Sequence, residues 1–262
     1  MKITVAPHEP VDVALTDEGH GHPYLVLHGG AGPRSVAAFA QLLAGRGDSR
    51  VLVPTHPGFD GTARPDRLDS PAGLAEVYAA LLDTLDLYDV TVVANSVGGW
   101  IAAELALRDS GRIGGIVMVD AVGIAVDGHP VADVFALTPA ELSRLSYHDP
   151  AAYAVDPATL TDADRARMAG NLEVLRVYGG RSMVDQTLRG RLAAVSVPAL
   201  VLWGESDGVV DPDYGRAYAA AIPGARFEPL PGAGHLPQIE SPDELLRRVT
   251  GFAASVSRTR PS

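Results

Sequence analysis

The sequence predicts an α/β fold: a mostly parallel eight-stranded sheet with helices on both faces and a block of helices inserted after the sixth strand. Three observations predict it. Short β-branched or Leu-rich runs alternate with segments of helical spacing, the pattern of strands joined by helices. The chain has 262 residues, 47% of them hydrophobic and 20% charged, enough for one large core carrying an insertion rather than two equal domains. The alternation then fails between about Val122 and Val195, where only helix-like pieces occur.

Residues 2–6 and 11–15 read as an antiparallel start. Strands follow at 24–28, 50–54, 90–94, 113–119, 199–203 and 226–230. Between the second and third of these, Leu74, Val77, Tyr78, Leu81, Leu82 and Leu85 recur at helical spacing behind Ser70 as N-cap and Pro71 at the first helical position. In the irregular stretch, helices are expected at 138–145 and 161–177, separated by Asp149-Pro150, Asp156-Pro157 and Gly179-Gly180. Short helices there suit packing over the C-terminal edge of the sheet, where open α/β sheets bind ligands. Near the end, Ser241-Pro242-Asp243-Glu244 has the form of a capping box, with Leu245, Leu246, Val249 and Phe252 on one helical face; the chain after Val256 reads as loose. The expected division is a core over 1–121 and 196–262, interrupted by a helical cap over 122–195.

Composition narrows the function. A net charge of −11, with 21 Lys and Arg against 32 Asp and Glu, works against a nucleic-acid partner, because phosphate binding needs clustered cations. With no cysteine, a disulfide framework, a thiolate metal site and a cysteine nucleophile are all excluded. The N-terminus lacks the apolar stretch of a signal peptide, and no apolar run approaches the roughly 20 residues of a membrane span, so a cytoplasmic protein with no membrane partner is expected. His20-Gly21-His22 reads as a solvated turn rather than a metal pair, and neither a metal nor a cofactor is expected. The substrate class is a small molecule; the chain leaves a homo-oligomer open.

Chemistry is concentrated at a few turns. In Val92-Val93-Ala94-Asn95-Ser96-Val97-Gly98-Gly99-Trp100 an apolar strand breaks at one Ser and restarts as a helix, a geometry that strains the backbone and exposes the hydroxyl. A serine hydroxyl needs a base and a group to orient that base. His235 lies in a glycine-rich loop after the last strand and is the candidate base. Asp207, a few residues beyond the strand ending at Trp203, is the first candidate for the orienting acid. Asp120, at the end of strand 113–119, competes with it, whereas Asp211-Pro212 reads as a helix N-cap. The side-chain-poor loop His28-Gly29-Gly30-Ala31-Gly32-Pro33 lets main chain approach a substrate oxygen, so Gly30 and Val97 N–H are the chosen oxyanion donors, with His28 structural. Nucleotide-binding glycine patterns are absent.

Together these residues resemble an α/β-hydrolase, a cap-bearing serine hydrolase of the esterase and C–C hydrolase-like group. The resemblance rests on His28-Gly29-Gly30, the turn Pro57-Gly58-Phe59-Asp60-Gly61-Thr62, Asn95-Ser96-Val97-Gly98-Gly99, Gly204-Glu205-Ser206-Asp207 and Gly234-His235, in the order Ser, acid, His. It implies a triad of Ser96, Asp207 and His235 and hydrolysis through a covalent intermediate. Ala94 stands where the family's first elbow glycine is usual, and Thr55 and Asp60 stand where relatives often carry Asp and Gly. Serine at position 96 disfavours the carbon–halogen and epoxide activities of relatives with Asp there. The implied substrate is a small or medium neutral ester or a lactone. Alternatives are C–C cleavage of a vinylogous diketone, with Arg176 or Arg181 as carboxylate partners, aminopeptidase action, for which Ala31 replaces the usual Pro, and a non-catalytic ligand receptor. Tyr147, His148, Tyr153, Met168, Leu172, Leu175 and Tyr178 could line a pocket, but their spacing favours cap core for most; Trp100 and Trp203 read as core.

Overall fold

The computed structural model describes residues 1–5 and 10–259. In chain order, β1 (Lys2–Ile3), β2 (Val11–Asp12), β3 (Ala14–Gly19) and β4 (His22–Leu27) lead to α1 (Arg34–Ala44) and β5 (Ser49–Thr55). After a short turn at Phe59–Gly61 come α2 (Pro71–Thr84), β6 (Val90–Asn95), α3 (Val97–Leu107) and β7 (Ile113–Val119). The helices α4 (Pro139–Ser146), α5 (Pro150–Tyr153), α6 (Asp162–Gly179) and α7 (Leu188–Arg191) separate β7 from β8 (Ala199–Gly204). The chain closes with α8 (Pro212–Ala221), β9 (Arg226–Leu230), α9 (Pro237–Glu240) and α10 (Pro242–Thr259).

The main sheet has seven strands, not eight, in the order β3-β5-β4-β6-β7-β8-β9, and is parallel except for β3. The expected antiparallel start is present, Lys2 pairing with Asp12 and Ile3 with Val11, but as a separate two-stranded ribbon outside the main sheet; Ala6 lies outside the described residues. The strand at the edge is Ala14–Gly19, whose sequence ALTDEG carries no apolar alternation because most of it faces solvent. Its Asp17 receives two hydrogen bonds from Arg50 of β5, at 2.9 and 2.8 Å. Charge at an exposed edge discourages pairing with another chain, which is why the strand does not look like one in sequence.

The central strands are apolar on both sides because both faces are covered. Tyr24, Val26, Val117, Val119, Leu200 and Leu202 pack under α1 and α10, while Leu25, Leu27, Ile116, Met118, Val201 and Trp203 pack under α2, α3 and α8. Trp100 and Trp203 are both core. Ser70 caps α2 as its spacing predicts, its Oγ accepting from Gly73 N. Helix α10 starts at Pro242, but Glu244 bonds Arg247 and Arg248 while Ser241 N–H donates to Pro237 O, so the expected reciprocal box is replaced by an ion pair.

Two packing features set the geometry of the sheet's C-terminal edge. Helix α3 begins against the end of β4, and a Cβ on Gly98 would lie 2.6 Å from Leu27 O and 2.7 Å from His28 O. Only glycine lets the helix start there. Beside it, His28 and His56 are wholly buried and stacked with ring centroids 3.7 Å apart. His28 Nδ1 donates to Gly29 O at 2.8 Å and its Nε2 accepts from His56 N; His56 Nε2 donates to His28 O, and its Nδ1 accepts from Tyr78 OH. Every ring nitrogen is used by the neutral form. Burial pulls His28 down to about 4, and burial with the neighbouring His28 pulls His56 well below the usual histidine range.

Two outcomes follow from this packing. Gly98→Ala should lower unfolding free energy by about 1–3 kcal/mol, read as a reduced urea midpoint with an unchanged m-value, because backbone carbonyls cannot yield to the added methyl. In acid, the unfolded chain binds a proton at each of these imidazoles below about pH 6.5 while the folded chain does not, so stability is full above that pH and falls as pH drops towards about 4. The fall should reach about 1.4 kcal/mol per pH unit for each imidazole; urea unfolding that is flat from about pH 7 to about pH 5 would exclude it.

Candidate active site

The strands β6, β7, β8 and β9 run parallel, so the loops after them share one edge, and the four singled-out side chains Ser96, Asp120, Asp207 and His235 all sit there. Ser96 occupies the one-residue turn between β6 and α3 with φ 57° and ψ −121°, a region costly for a residue with a Cβ. Its backbone is held from several directions. Ser96 N donates to Val119 O at 3.0 Å, and Ser96 O accepts from Gly99, Trp100 and Val122 N–H. The hydroxyl is thereby fixed above the sheet.

His235 reaches that hydroxyl. Its Nε2 lies 2.9 Å from Ser96 Oγ and its Nδ1 2.8 Å from Asp207 Oδ2, so the imidazole bridges the two. Asp207 Oδ1 also accepts from Val209 and Val210 N–H, at 2.8 and 3.1 Å, which fixes the carboxylate in its turn. Asp120 does not touch His235; it is wholly buried and accepts from Gly204 N at 2.8 Å. Asp211 caps α8, accepting from Tyr214 N.

The histidine loop is fastened by groups to which the sequence assigned no such role. Asn95 Nδ2 donates to His235 O at 2.9 Å and to Val119 O, and Gln238 Nε2 donates to Asn95 Oδ1. Glu240 accepts from Gly234 N through one oxygen and from Asp149 N through the other. The carbonyls ending α4 are bound as well: Leu145 O accepts from Gly208 N at 2.9 Å and Ser146 O from His235 N at 2.7 Å. Helix ends leave carbonyls without partners, and here the acid loop and the histidine loop supply the N–H groups.

Across Ser96 lies the glycine loop after β4. Gly29 O accepts from both His28 Nδ1 and Gly32 N, which fixes the peptide plane whose opposite end is Gly30 N–H. Val97 N–H is in the first turn of α3, where donors lack intrahelical acceptors. Helix α6 covers this loop: Leu175 is so close that a Cβ on Gly30 would approach its Cδ2 to 2.5 Å. Asn171 exchanges two hydrogen bonds with Asp60, accepting from Asp60 N at 2.8 Å and donating to Asp60 Oδ1 at 2.9 Å. Asp60 has φ 50°, the left-handed conformation in which glycine is unstrained, so the Asn171 contact offsets the departure from glycine. Tyr178 OH donates to Pro57 O in the same turn.

Of the other residues singled out in the sequence, Leu175 and Tyr178 are buried, but Tyr153 and Met168 are exposed and do not form a cap core. Tyr147 stacks on Tyr153, and His148 bonds Ser206 Oγ. Arg176 lies over the Phe135 ring, and the exposed Arg181 pairs with Asp133. His22 Nε2 bonds Thr91 Oγ1. No helix among the described residues is long and apolar enough to cross a membrane.

The chain is 26% identical over 269 residues to 2-hydroxymuconate semialdehyde hydrolase of Pseudomonas putida, covering 92% of this chain and 90% of that one. It is 30% identical over 271 residues to a Mycobacterium tuberculosis protein provisionally named non-heme bromoperoxidase, covering 94% and 99%. In three dimensions, an esterase from Thermogutta terrifontis superposes with a TM-score of 0.79 over 98% of both chains at 23% identity, a likeness of fold. A family model for alpha/beta hydrolases matches residues 24–248, and with that span the chain belongs to the alpha/beta hydrolase family.

Proposed function

We propose that the protein is a serine hydrolase of small or medium neutral carboxylic esters or lactones, working through Ser96, His235 and Asp207 beneath a cap formed by residues 122–195. The observation that carries the reading is the continuous hydrogen-bonded run from Ser96 Oγ through both ring nitrogens of His235 to Asp207. In this reading His235 Nε2 takes the hydroxyl proton as Ser96 Oγ attacks the carbonyl carbon, while Asp207 stabilises the imidazolium through Nδ1–H. The carbonyl oxygen becomes an oxyanion facing Gly30 and Val97 N–H. When the tetrahedral intermediate collapses, the alcohol leaves with the proton from Nε2. Water, deprotonated by the same nitrogen, then attacks the acyl-enzyme and releases the acid and Ser96.

A second reading, hydrolysis of a carbon–carbon bond in a vinylogous diketone, is favoured by the similarity to 2-hydroxymuconate semialdehyde hydrolase. The same three residues would serve it. A dienoate substrate carries a carboxylate that calls for a cation; Arg181 pairs with Asp133, while Arg176 lies over the Phe135 ring, a contact that leaves its charge and its N–H donors in place, so the substrate panel below decides between the readings.

Purified Ser96→Ala and His235→Ala should each lose about 10³-fold or more in kcat while keeping the native circular dichroism spectrum. Near-normal turnover by Ser96→Ala would remove the basis of the reading. A fluorophosphonate should label the wild-type protein at Ser96, located by mass spectrometry; tight ligand binding without labelling or turnover would instead indicate a receptor. In a panel of chromogenic esters and lactones set against a ring-cleavage dienoate, the ester reading requires the higher kcat/KM on the neutral substrates, and a preference for the dienoate would assign the second reading.

A further inference from the structure

Behind the Asp207–His235 pair lies a second carboxyl group for which the acyl-transfer chemistry has no use. Asp120 directly follows β7 with φ 48°, is 0% exposed, and has its N–H tied to Leu202 O. Oδ1 accepts from Gly204 N, but Oδ2 finds no N–H or O–H donor among the described residues. Its neighbour within side-chain hydrogen-bonding reach is Asp207, itself buried. The other ionisable groups facing the pair are His235, bonded to Asp207, and Glu240, from α9. No lysine or arginine is bonded to either aspartate in the hydrogen bonds and ion pairs of the described residues.

Two carboxyl groups this close, away from water and without a compensating cation, cannot both remain ionised at low cost; sharing one proton removes the repulsion. The hydrogen bonds decide which group keeps it. Asp207 accepts three N–H groups, from Val209, Val210 and His235, whereas Asp120 accepts one, from Gly204. Charge is therefore best held on Asp207 and the proton on the oxygen of Asp120 that lacks a donor. We propose that Asp120 is a neutral carboxylic acid in the resting protein, donating its Oδ2 proton to Asp207 and acting as a positioning residue for the Asp207–His235 pair, an inference that rests on the triad reading only for its effect on rate. Burial first, and then the negative charge of Asp207, push the Asp120 carboxyl well above the usual carboxylate range, in keeping with this arrangement.

The arrangement makes the variants distinguishable. Asparagine tolerates the positive φ at position 120, keeps an acceptor for Gly204 N–H and offers an N–H to Asp207 without changing the charge; glycine tolerates the backbone but supplies neither group. Asp120→Gly should lower kcat/KM about tenfold, the scale of one lost hydrogen bond, and move the acidic limb of its pH profile upwards, because an Asp207 with fewer donors holds the imidazolium more tightly. Asp120→Asn should return the limb to its wild-type position. A limb that moves down in Asp120→Asn would mean that a negative charge had been removed, and would overturn the proposal.

Infrared spectroscopy tests the proton directly and independently of turnover. At neutral pH in D2O, the wild-type minus Asp120→Asn difference spectrum should contain the carbonyl band of a protonated carboxylic acid; its absence would overturn the proposal whatever the kinetics show. A protein with that band but no fluorophosphonate labelling at Ser96 would retain the neutral Asp120 and lose the hydrolase reading, so the two failures are distinct.

Discussion

The constraint on which the rest depends is the approach of α3 to the end of β4. Gly98 sits against the carbonyls of Leu27 and His28, which forces the turn from β6 into α3 to be made by a single residue, Ser96, in a strained conformation. Strain of that kind persists only where the surroundings fix it. Here the Ser96 N–H bond to Val119 O and the three donors on Ser96 O do so. The same contact brings Val97 N–H, at the start of α3, close to the glycine loop that begins with His28. One packing decision thus sets the hydroxyl and both chosen oxyanion donors together.

The stacked imidazoles extend this constraint into the core. His28 and His56 hold each other's backbone and, through Gly29 O, the peptide unit of Gly30. Both depend on remaining neutral. Tyr78, whose hydroxyl burial keeps protonated, completes the chain by donating to His56 Nδ1. The cluster is a polar network inside an apolar face, tolerable because each nitrogen has a partner. Its sensitivity to acid is the other side of that arrangement, since one added proton leaves a buried charge facing another imidazole.

How much of this was legible in the sequence follows from the range of each signal. The central strands, α2, α4 and α6 were readable because apolar spacing and caps such as Ser70, Thr138 and Thr161 are local. Ser96, Asp207 and His235 were readable as a set because each follows a strand; position alone ranked Asp207 first but left Asp120 as its competitor, since the choice turns on which carboxylate meets the imidazole. Strand β3 was hidden because an exposed, charged edge has no apolar period. Asn95, Gln238 and Glu240 were missed for a different reason. Asn95 reaches His235 O, Gln238 reaches Asn95 Oδ1 and Glu240 reaches Asp149 N, partners 91 to 143 positions away, and nothing in an Asn, a Gln or a Glu by itself points to them. Asp60 offered a partial clue, a non-glycine in a turn where the family resemblance leads one to expect Gly, but its partner Asn171 is 111 positions away.

The helices between β7 and β8 are tied to the rest of the chain more closely than their sequence suggests. In sequence they stand apart, because the alternation of strand and helix stops where they begin. In hydrogen bonding they do not. The carbonyls that end α4 hold Gly208 of the acid loop and His235 itself, and Glu240 joins the histidine loop to the start of α5. Lifting α4 would strip acceptors from two N–H groups beside the imidazole, each at a cost of about 1–3 kcal/mol if left buried and unpaired. On the other side, α6 is bound through Asn171 and Tyr178 to the turn that follows β5. The helical block therefore shares backbone hydrogen bonds with the acid loop, the histidine loop and the turn after β5, and a change of packing within it is transmitted to Asp207 and His235 through those bonds rather than only through the shape of a pocket.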